Sequence, residues 1–199
     1  MTYWLDRRSA PLLLGLLAGL GAVAAAMLAG QTSAEQALLA ARWTARTALP
    51  VFLIAYLASS LVRLWPGDLS RALLRRRRQW GLGFALAHAI HLVALAVNVL
   101  VFGPARPWQT LIGGGIAYLM VLLMALTSND ASMRRLGKGW RWLHRFGIHY
   151  IWLIFFLSYA SRLASPDKMM TGLVFTPVLL LALALRLWAG LRRNAVRAS

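Results

Sequence analysis

The chain has 199 residues, 60% of them hydrophobic, and a mean hydropathy of +0.63. A soluble domain is only about 45–50% apolar, so one water-soluble core of this size could not bury so much apolar surface. The absence of cysteine excludes a disulfide-stapled secreted scaffold, iron–sulfur clusters and thiolate zinc sites. Because disorder requires a low apolar fraction, composition leaves an integral membrane protein as the expected class.

The net charge of +17 comes from 22 Lys and Arg residues against 5 Asp and Glu residues. In a soluble protein this excess would favour nucleic acid as the partner. Here the basic residues stand between long apolar runs, and no basic stretch belongs to a segment able to fold in water. We therefore predict that the chain lies in a lipid bilayer and binds no nucleic acid.

Six segments are apolar for the ~20 residues that a helix needs to cross a bilayer. In chain order the predicted spans are 11–30, 47–64, 80–102, 108–127, 142–159 and 173–188. Short loops join them, so each helix should lie beside its neighbours in sequence. The predicted fold class is all-α, a six-helix membrane bundle forming a single transmembrane domain over residues 1–199. The first apolar run exceeds the roughly 7–15 residues of a signal peptide and is interpreted as a retained helix.

Basic residues predict the orientation, since Lys and Arg accumulate on the cytoplasmic side of membrane proteins. With a cytoplasmic N-terminus, 17 of the 22 basic residues fall on the cytoplasmic side. The 5 on the outer side are Arg42, Arg46, Arg106, Arg162 and Lys168. An even number of spans then places both the N- and the C-terminus in the cytoplasm.

Acidic residues are missing from the predicted spans. The five carboxylates lie in loops or tails, at Asp6, Glu35, Asp68, Asp130 and Asp167. This distribution argues against a transporter with an intramembrane acidic proton relay. It argues equally against a di-metal carboxylate site inside the bundle.

All four histidines lie on two spans, His88 and His91 on the third, His144 and His149 on the fifth. A neutral imidazole is a common axial ligand of haem iron. At 1.5 Å per residue, His91 and His149 each lie ~20 Å from the outer end of their span, which favours them as a pair. His88 shares a face with His91. His144 and His149 differ by about 140° around their helix and cannot both face one iron.

Each candidate also has a simpler interpretation. His88 is compatible with a plain hydrogen bond to a neighbouring helix, and His144, beside Arg145, with an interfacial side chain. His91, in the middle of an apolar helix, is the strongest ligand candidate. Haem propionates require cations. The candidates are Arg77, Arg78, Arg141 and Arg145 on the inner side and Arg46 on the outer side, although the charge bias already accounts for most basic residues.

An ordered set of short segments carries a family resemblance. It comprises Thr44–Leu49 in the second span, Arg77-Arg78, Gly81-Leu82 and Ile90-His91-Leu92 in the third, Thr127-Ser128 after the fourth, and Leu136–Lys138, Trp140 and Leu143-His144 leading into the fifth. Over roughly residues 42 to 190, the chain resembles the ferric-reductase-like transmembrane family. Within that family it is most similar to the haem-binding membrane subunits of bacterial periplasmic methionine sulfoxide reductase systems.

The resemblance implies a haem b carrier that moves electrons across the bacterial inner membrane. A cytoplasmic flavin reductase or quinone would donate them, and a periplasmic molybdopterin enzyme that repairs oxidised methionine would accept them. Some family members carry flavin. His91 and His144 match family haem ligands, but the histidine that usually follows 13 residues later is Leu157 here. One haem is therefore expected and two are possible, with His149 or His88 as substitute ligands.

An iron held on both sides passes electrons without binding oxygen, so the chain is expected to be an electron-transfer subunit, not the catalytic one.

Two other functions remain open. The rival hypothesis is a cofactor-free membrane scaffold or small transporter whose histidines only pack. The other is a direct ferric reductase, which would need a domain that binds NAD(P)H and flavin. No segment of this sequence is expected to form such a domain.

Overall fold

The structure, a computed structural model, describes residues 7–103 and 107–198, with side chains to residue 192. Arg106, one of the predicted outer cations, lies outside the described residues. The helices are α1 Ala10–Ala29, α2 Ser33–Leu64, α3 Asp68–Arg75, α4 Arg77–Val97, α5 Trp108–Leu126, α6 Asp130–Leu136, α7 Lys138–Ala160 and α8 Met169–Ala198. A π-helical turn, Asn98–Phe102, continues α4, and a 3₁₀ turn, Ser161–Ala164, continues α7.

Six segments of the described chain are long and apolar enough to cross a membrane. They are Ala10–Ala29, Ser33–Leu64, Arg77–Phe102, Trp108–Leu126, Lys138–Ala164 and Met169–Arg192. Large apolar side chains cover their outer surface, such as Leu28, which is 90% exposed, and Leu100, which is 83% exposed. Such a surface suits lipid and not water. The predicted all-α six-helix membrane bundle is confirmed.

The second span begins earlier than predicted, at Ser33 and not at residue 47. Thr32 caps the helix, because its hydroxyl accepts a hydrogen bond from the Glu35 backbone N–H at 3.2 Å. Hydropathy alone missed this start, since the first turns are polar although they are rich in good helix formers. Arg42 and Arg46, predicted to lie outside the spans, therefore lie within α2.

The α2 helix lies at the centre of the bundle and packs against α1, α4 and α8. Its Phe52 ring meets Phe84 of α4 at 5.2 Å and Phe155 of α7 at 5.5 Å between centroids. Phe84 also contacts Phe155, at 6.2 Å. In the described part of the chain, α4 thus meets α7 through aromatic side chains, whereas its backbone lies close to α1 and α2.

A contact between two glycines sets the crossing of α1 and α4. A Cβ added to Gly15 would lie 2.0 Å from the Gly83 carbonyl oxygen, and one added to Gly83 would lie 2.2 Å from that of Pro11. Small residues allow this close approach of backbones inside a membrane. Because Gly83 precedes His88 on the same helix, this crossing positions the histidine-bearing part of α4.

Candidate functional site: the α4 histidines

His91 is held by a hydrogen-bonded chain that begins on α2. The Thr44 hydroxyl donates to the Ala40 carbonyl at 2.6 Å, and the same oxygen lies 3.0 Å from Nδ1 of His91. Since the hydroxyl proton is already used, Nδ1–H of His91 donates to Thr44. Nε2 is then unprotonated and keeps its lone pair, which is the state in which an imidazole binds a metal. Thr44 is fully buried, so water does not compete for this contact.

His88 lies one turn earlier among aromatic rings. Its ring stacks on Tyr118 of α5 at 4.9 Å and 28°, and lies 5.7 Å from Phe155 and 5.1 Å from His91. His88 is 8% exposed. Among the described residues, its buried Nδ1 and the buried Tyr118 hydroxyl have no hydrogen-bond partner. We call His88, His91, Thr44, Tyr118 and Phe155 the α4 histidine site.

The two histidines of α7 have different surroundings. Nδ1–H of His144 donates to the Trp140 carbonyl at 3.1 Å, and the His144 ring stacks on Trp140 at 4.0 Å. Nε2 of His144 faces the Ser128 hydroxyl at 3.5 Å. His149 lies edge-on to Tyr56, whose hydroxyl is 3.3 Å from its Nδ1. Both α7 histidines are half-buried.

Depth separates the two pairs of histidines. His88 contacts Phe155, which follows His149 by six residues and His144 by eleven. At the helical rise, those intervals are ~9 Å and ~16 Å along α7, and His91 lies ~4.5 Å farther in the opposite direction. The predicted match in depth between His91 and His149 is therefore not found. Counting from span ends failed because the two helices are not flush at those ends.

The position on α7 that is level with His91 is close to Leu157. The Leu157 side chain is 52% exposed on the surface of the bundle and does not face its interior. The structure thus brings His88 and His91 together but does not bring either α7 histidine to them. Among the described residues, no three His, Cys, Asp or Glu side chains form a group that could hold a metal ion. The available donors are single imidazoles, the kind of donor that haem iron takes from a protein.

Arg46 and Arg78, two of the candidate propionate partners, differ in availability. A terminal nitrogen of Arg46 donates to the Thr171 hydroxyl of α8 at 3.0 Å, while its buried Nε has no partner among the described residues. Arg78 is exposed and forms an ion pair with Asp130. The hydrogen bond and positive charge of Arg78 lower the pKa of the Asp130 carboxyl from its usual value. Arg46 therefore has a free donor, and Arg78 is already paired.

Sequence reasoning did not assign a role to Thr44, Tyr118 or Phe155. Thr44 stood within a matched segment, but its contact with His91 joins positions 47 residues apart. Tyr118 and Phe155 carry no signal of their own, since aromatic residues are common in spans. Only the packing of α2, α4, α5 and α7 shows that these side chains surround the histidines.

Comparison with known proteins shows a similarity to a named membrane subunit. The chain is 35% identical over 133 residues to a protein named protein-methionine-sulfoxide reductase heme-binding subunit MsrQ, from Cronobacter sakazakii (strain ATCC BAA-894). The match covers 58% of this chain and 64% of the relative, so the chain spans less than two thirds of the relative's length. No family model matches the chain. No solved structure matches it.

Proposed function

We propose that this chain is a haem-binding membrane subunit that carries electrons across the bilayer, with His91 as an axial ligand of haem b. The observation that carries the proposal is the contact between Thr44 and His91, which orients the imidazole and leaves Nε2 free to coordinate. Haem, when bound, supplies reversible one-electron chemistry. The similarity to a protein named as a heme-binding subunit supports the same function.

The surrounding residues fit a porphyrin. Tyr118 and Phe155 pack against the His88 ring, and such flat, apolar side chains would exclude water from a bound porphyrin. The unpartnered Nδ1 of His88 and the Tyr118 hydroxyl are buried polar groups that a bound molecule would satisfy. Arg46 would pair with a propionate through its unpartnered Nε.

The α7 histidines have a separate place in the proposal. His144 is also in the tautomer with Nδ1–H donating, so its Nε2 is available for coordination. It lies ~20 Å from the level of His91 along the bundle axis, so we assign it to a second haem and not to the iron at His91. His149, five residues farther along α7, is the reserve ligand for that second haem.

The partners follow from the similarity and not from the geometry. The relative is named as part of a protein-methionine-sulfoxide reductase. We infer that the electrons reach a periplasmic molybdopterin reductase for oxidised methionine, and that a cytoplasmic flavin reductase or quinone donates them. Flavin remains a second cofactor in this proposal. The predicted membrane is the bacterial inner membrane, with both termini in the cytoplasm.

A dithionite-reduced minus oxidised absorbance spectrum of the purified protein tests the proposal, together with a pyridine haemochrome assay for haem per chain. A b-type α band is expected, with at least one haem for each chain. Well-folded protein that is colourless after expression with ample haem would refute the proposal. That outcome would favour the cofactor-free scaffold or transporter.

A further inference from the structure

Two arginines from different helices turn into the bundle at the end where α2 finishes and α4 begins. Nε of Arg77, on α4, donates to the Ala55 carbonyl of α2 at 3.1 Å. Arg186, on α8, donates to the next carbonyl, that of Tyr56. Both guanidinium groups therefore converge on the same turn of the central helix.

More positive charge surrounds this point. The Arg186 guanidinium lies over the Tyr56 ring, 4.5 Å from its centroid. The charges of Arg63 on α2, Arg77 on α4 and Arg145 on α7 are close enough to repel that of Arg186. We call Arg63, Arg77, Arg145 and Arg186 the arginine cluster. Four helices thus each contribute one cation to a single region.

No carboxylate of the described chain neutralises the arginine cluster, because each has another partner. Glu35 accepts from the Gln31 backbone N–H, and Asp68, Asp130 and Asp167 pair with Arg71, Arg78 and Lys168. Like charges brought together at the edge of an apolar region repel one another strongly, since the low dielectric weakens screening. An anion bound between the guanidinium groups would remove this cost.

The general excess of arginine on one side of a membrane does not account for this geometry. Long cationic side chains near helix ends normally extend towards water. Arg77 and Arg186 instead donate to carbonyls of the central helix, and both are half-buried. Their guanidinium groups are therefore bonded to the central helix and remain partly accessible.

The position of the arginine cluster indicates which anion is available. At the same end, Trp65 and Trp188 meet edge to face at 6.0 Å, and both are about half exposed. Such tryptophans mark the membrane–water interface. Arg63 and Arg186 each precede one of them by two residues, so the cluster lies just inside the interface. Phospholipid headgroups lie at this depth.

We propose that the arginine cluster binds the phosphate group of an anionic phospholipid. Guanidinium groups match phosphate oxygens with paired hydrogen bonds, which explains arginine in preference to lysine. A shallow groove lined by Lys138, Arg141, Trp142 and Arg145 continues the basic surface along α7. Since Arg145 belongs to both, the groove offers the rest of the headgroup a cationic surface. This site is separate from the α4 histidines, so its occupancy does not depend on the haem proposed at His91.

Native mass spectrometry of the detergent-purified full chain, titrated with phosphatidylglycerol or phosphatidylcholine, tests the proposal. Wild-type protein should retain phosphatidylglycerol in preference to phosphatidylcholine. The double variant Arg77→Gln/Arg186→Gln should lose about tenfold or more of this retention. The matched control is Arg134→Gln/Arg135→Gln, which removes the same charge from exposed positions on α6 and should leave retention unchanged.

A second variant keeps the proposal testable if the double variant fails to fold. Arg145→Gln changes an exposed side chain and should reduce retention about fivefold. Equal retention by the wild type and both cluster variants would overturn the proposal. Inorganic phosphate and riboflavin phosphate form a separate arm, read by thermal stabilisation. Stabilisation by either of these that requires the cluster, without preference for phosphatidylglycerol, would assign a soluble phosphate ligand and overturn the lipid assignment.

Discussion

The α4 and α7 histidines are the same residue type on neighbouring helices, yet their surroundings differ. His91 donates to a buried threonine and lies among uncharged rings. His149 contacts Tyr56, on which Arg186 is stacked, and the charges of Arg186 and Arg145 reach its imidazole. An uncharged, anchored imidazole suits metal coordination, whereas an imidazole beside guanidinium groups suits an anion site. This difference is the basis for proposing a cofactor at one end of the bundle and a phosphate group at the other.

The largest expected effect separates the two pairs directly. His91→Ala should abolish the Soret band of the haem at that position, because His91 is the proposed ligand and neither α7 histidine lies at its depth. His149→Ala should leave that band in place. Haem content per chain by pyridine haemochrome is the measurement. Adding free imidazole to the His91→Ala protein should restore absorbance, because the vacated space admits the missing ligand. Equal loss in both variants would mean that the separation in depth described above is wrong.

The crossing that positions α4 should be nearly as sensitive. A Cβ at Gly83 would meet the Pro11 carbonyl, whereas a Cβ at Gly81 has nothing within 4 Å. Gly83→Ala should therefore destabilise the protein by about 1–3 kcal/mol through overpacking. Gly81→Ala, two residues earlier on the same helix, should leave the stability unchanged or raise it by up to about 1 kcal/mol, since alanine favours the helix.

Thermal unfolding of the purified protein in one detergent compares the two alanine variants. The Gly83→Ala variant should also bind less haem at a given haem concentration, because α4 carries His91. A Gly83→Ala protein as stable as Gly81→Ala would contradict the close contact between α1 and α4.

The hydroxyl behind His91 should have a smaller but diagnostic effect. Thr44→Val keeps the shape of the side chain and removes the acceptor for Nδ1–H. Loss of such a supporting hydrogen bond typically costs about 10–100-fold in ligand affinity. We expect weaker haem retention and a shifted midpoint potential, measured by dialysis against apomyoglobin and by redox titration. Thr44→Ser should recover both properties, and Thr47→Val, on the same helix, should change neither.

Part of this architecture could be predicted from the sequence and part could not. The six spans followed from apolar run length, because a bilayer demands about 20 such residues whatever their neighbours. The start of α2 did not, since a capped polar turn adds no hydropathy. Histidines were recognisable because polar residues are costly in a span. Their pairing was not, because depth depends on how α4 and α7 slide past each other, which is decided by contacts such as Phe84 with Phe155.

The smallest expected effect concerns an exposed charge, in contrast to the half-buried charges of Arg77 and Arg186. The Asp130 carboxylate is hydrogen-bonded by Arg78, which lowers its pKa from the usual 3.8. A pKa that is lower in the folded than in the unfolded state stabilises the fold above the unfolded value, and the gain is lost as pH falls through the folded value. Asp130→Asn should therefore lower the melting temperature slightly at neutral pH and not at all in strong acid.

Melting temperatures of wild type and Asp130→Asn, compared from about pH 7 down to about pH 1, provide the measurement. The gap between them should be small, because solvent and salt screen an exposed pair, and it should shrink further in high salt. Asp167→Asn removes a carboxylate that pairs with the adjacent Lys168 and serves as the control. A gap that persists in acid would mean that Asp130 stabilises the protein by packing or helix capping and not by its charge. The ion pair between Arg78 of α4 and Asp130 of α6 would then add no electrostatic stability to the fold. Charge effects would be confined to regions such as that of Arg77 and Arg186, where half-burial weakens screening.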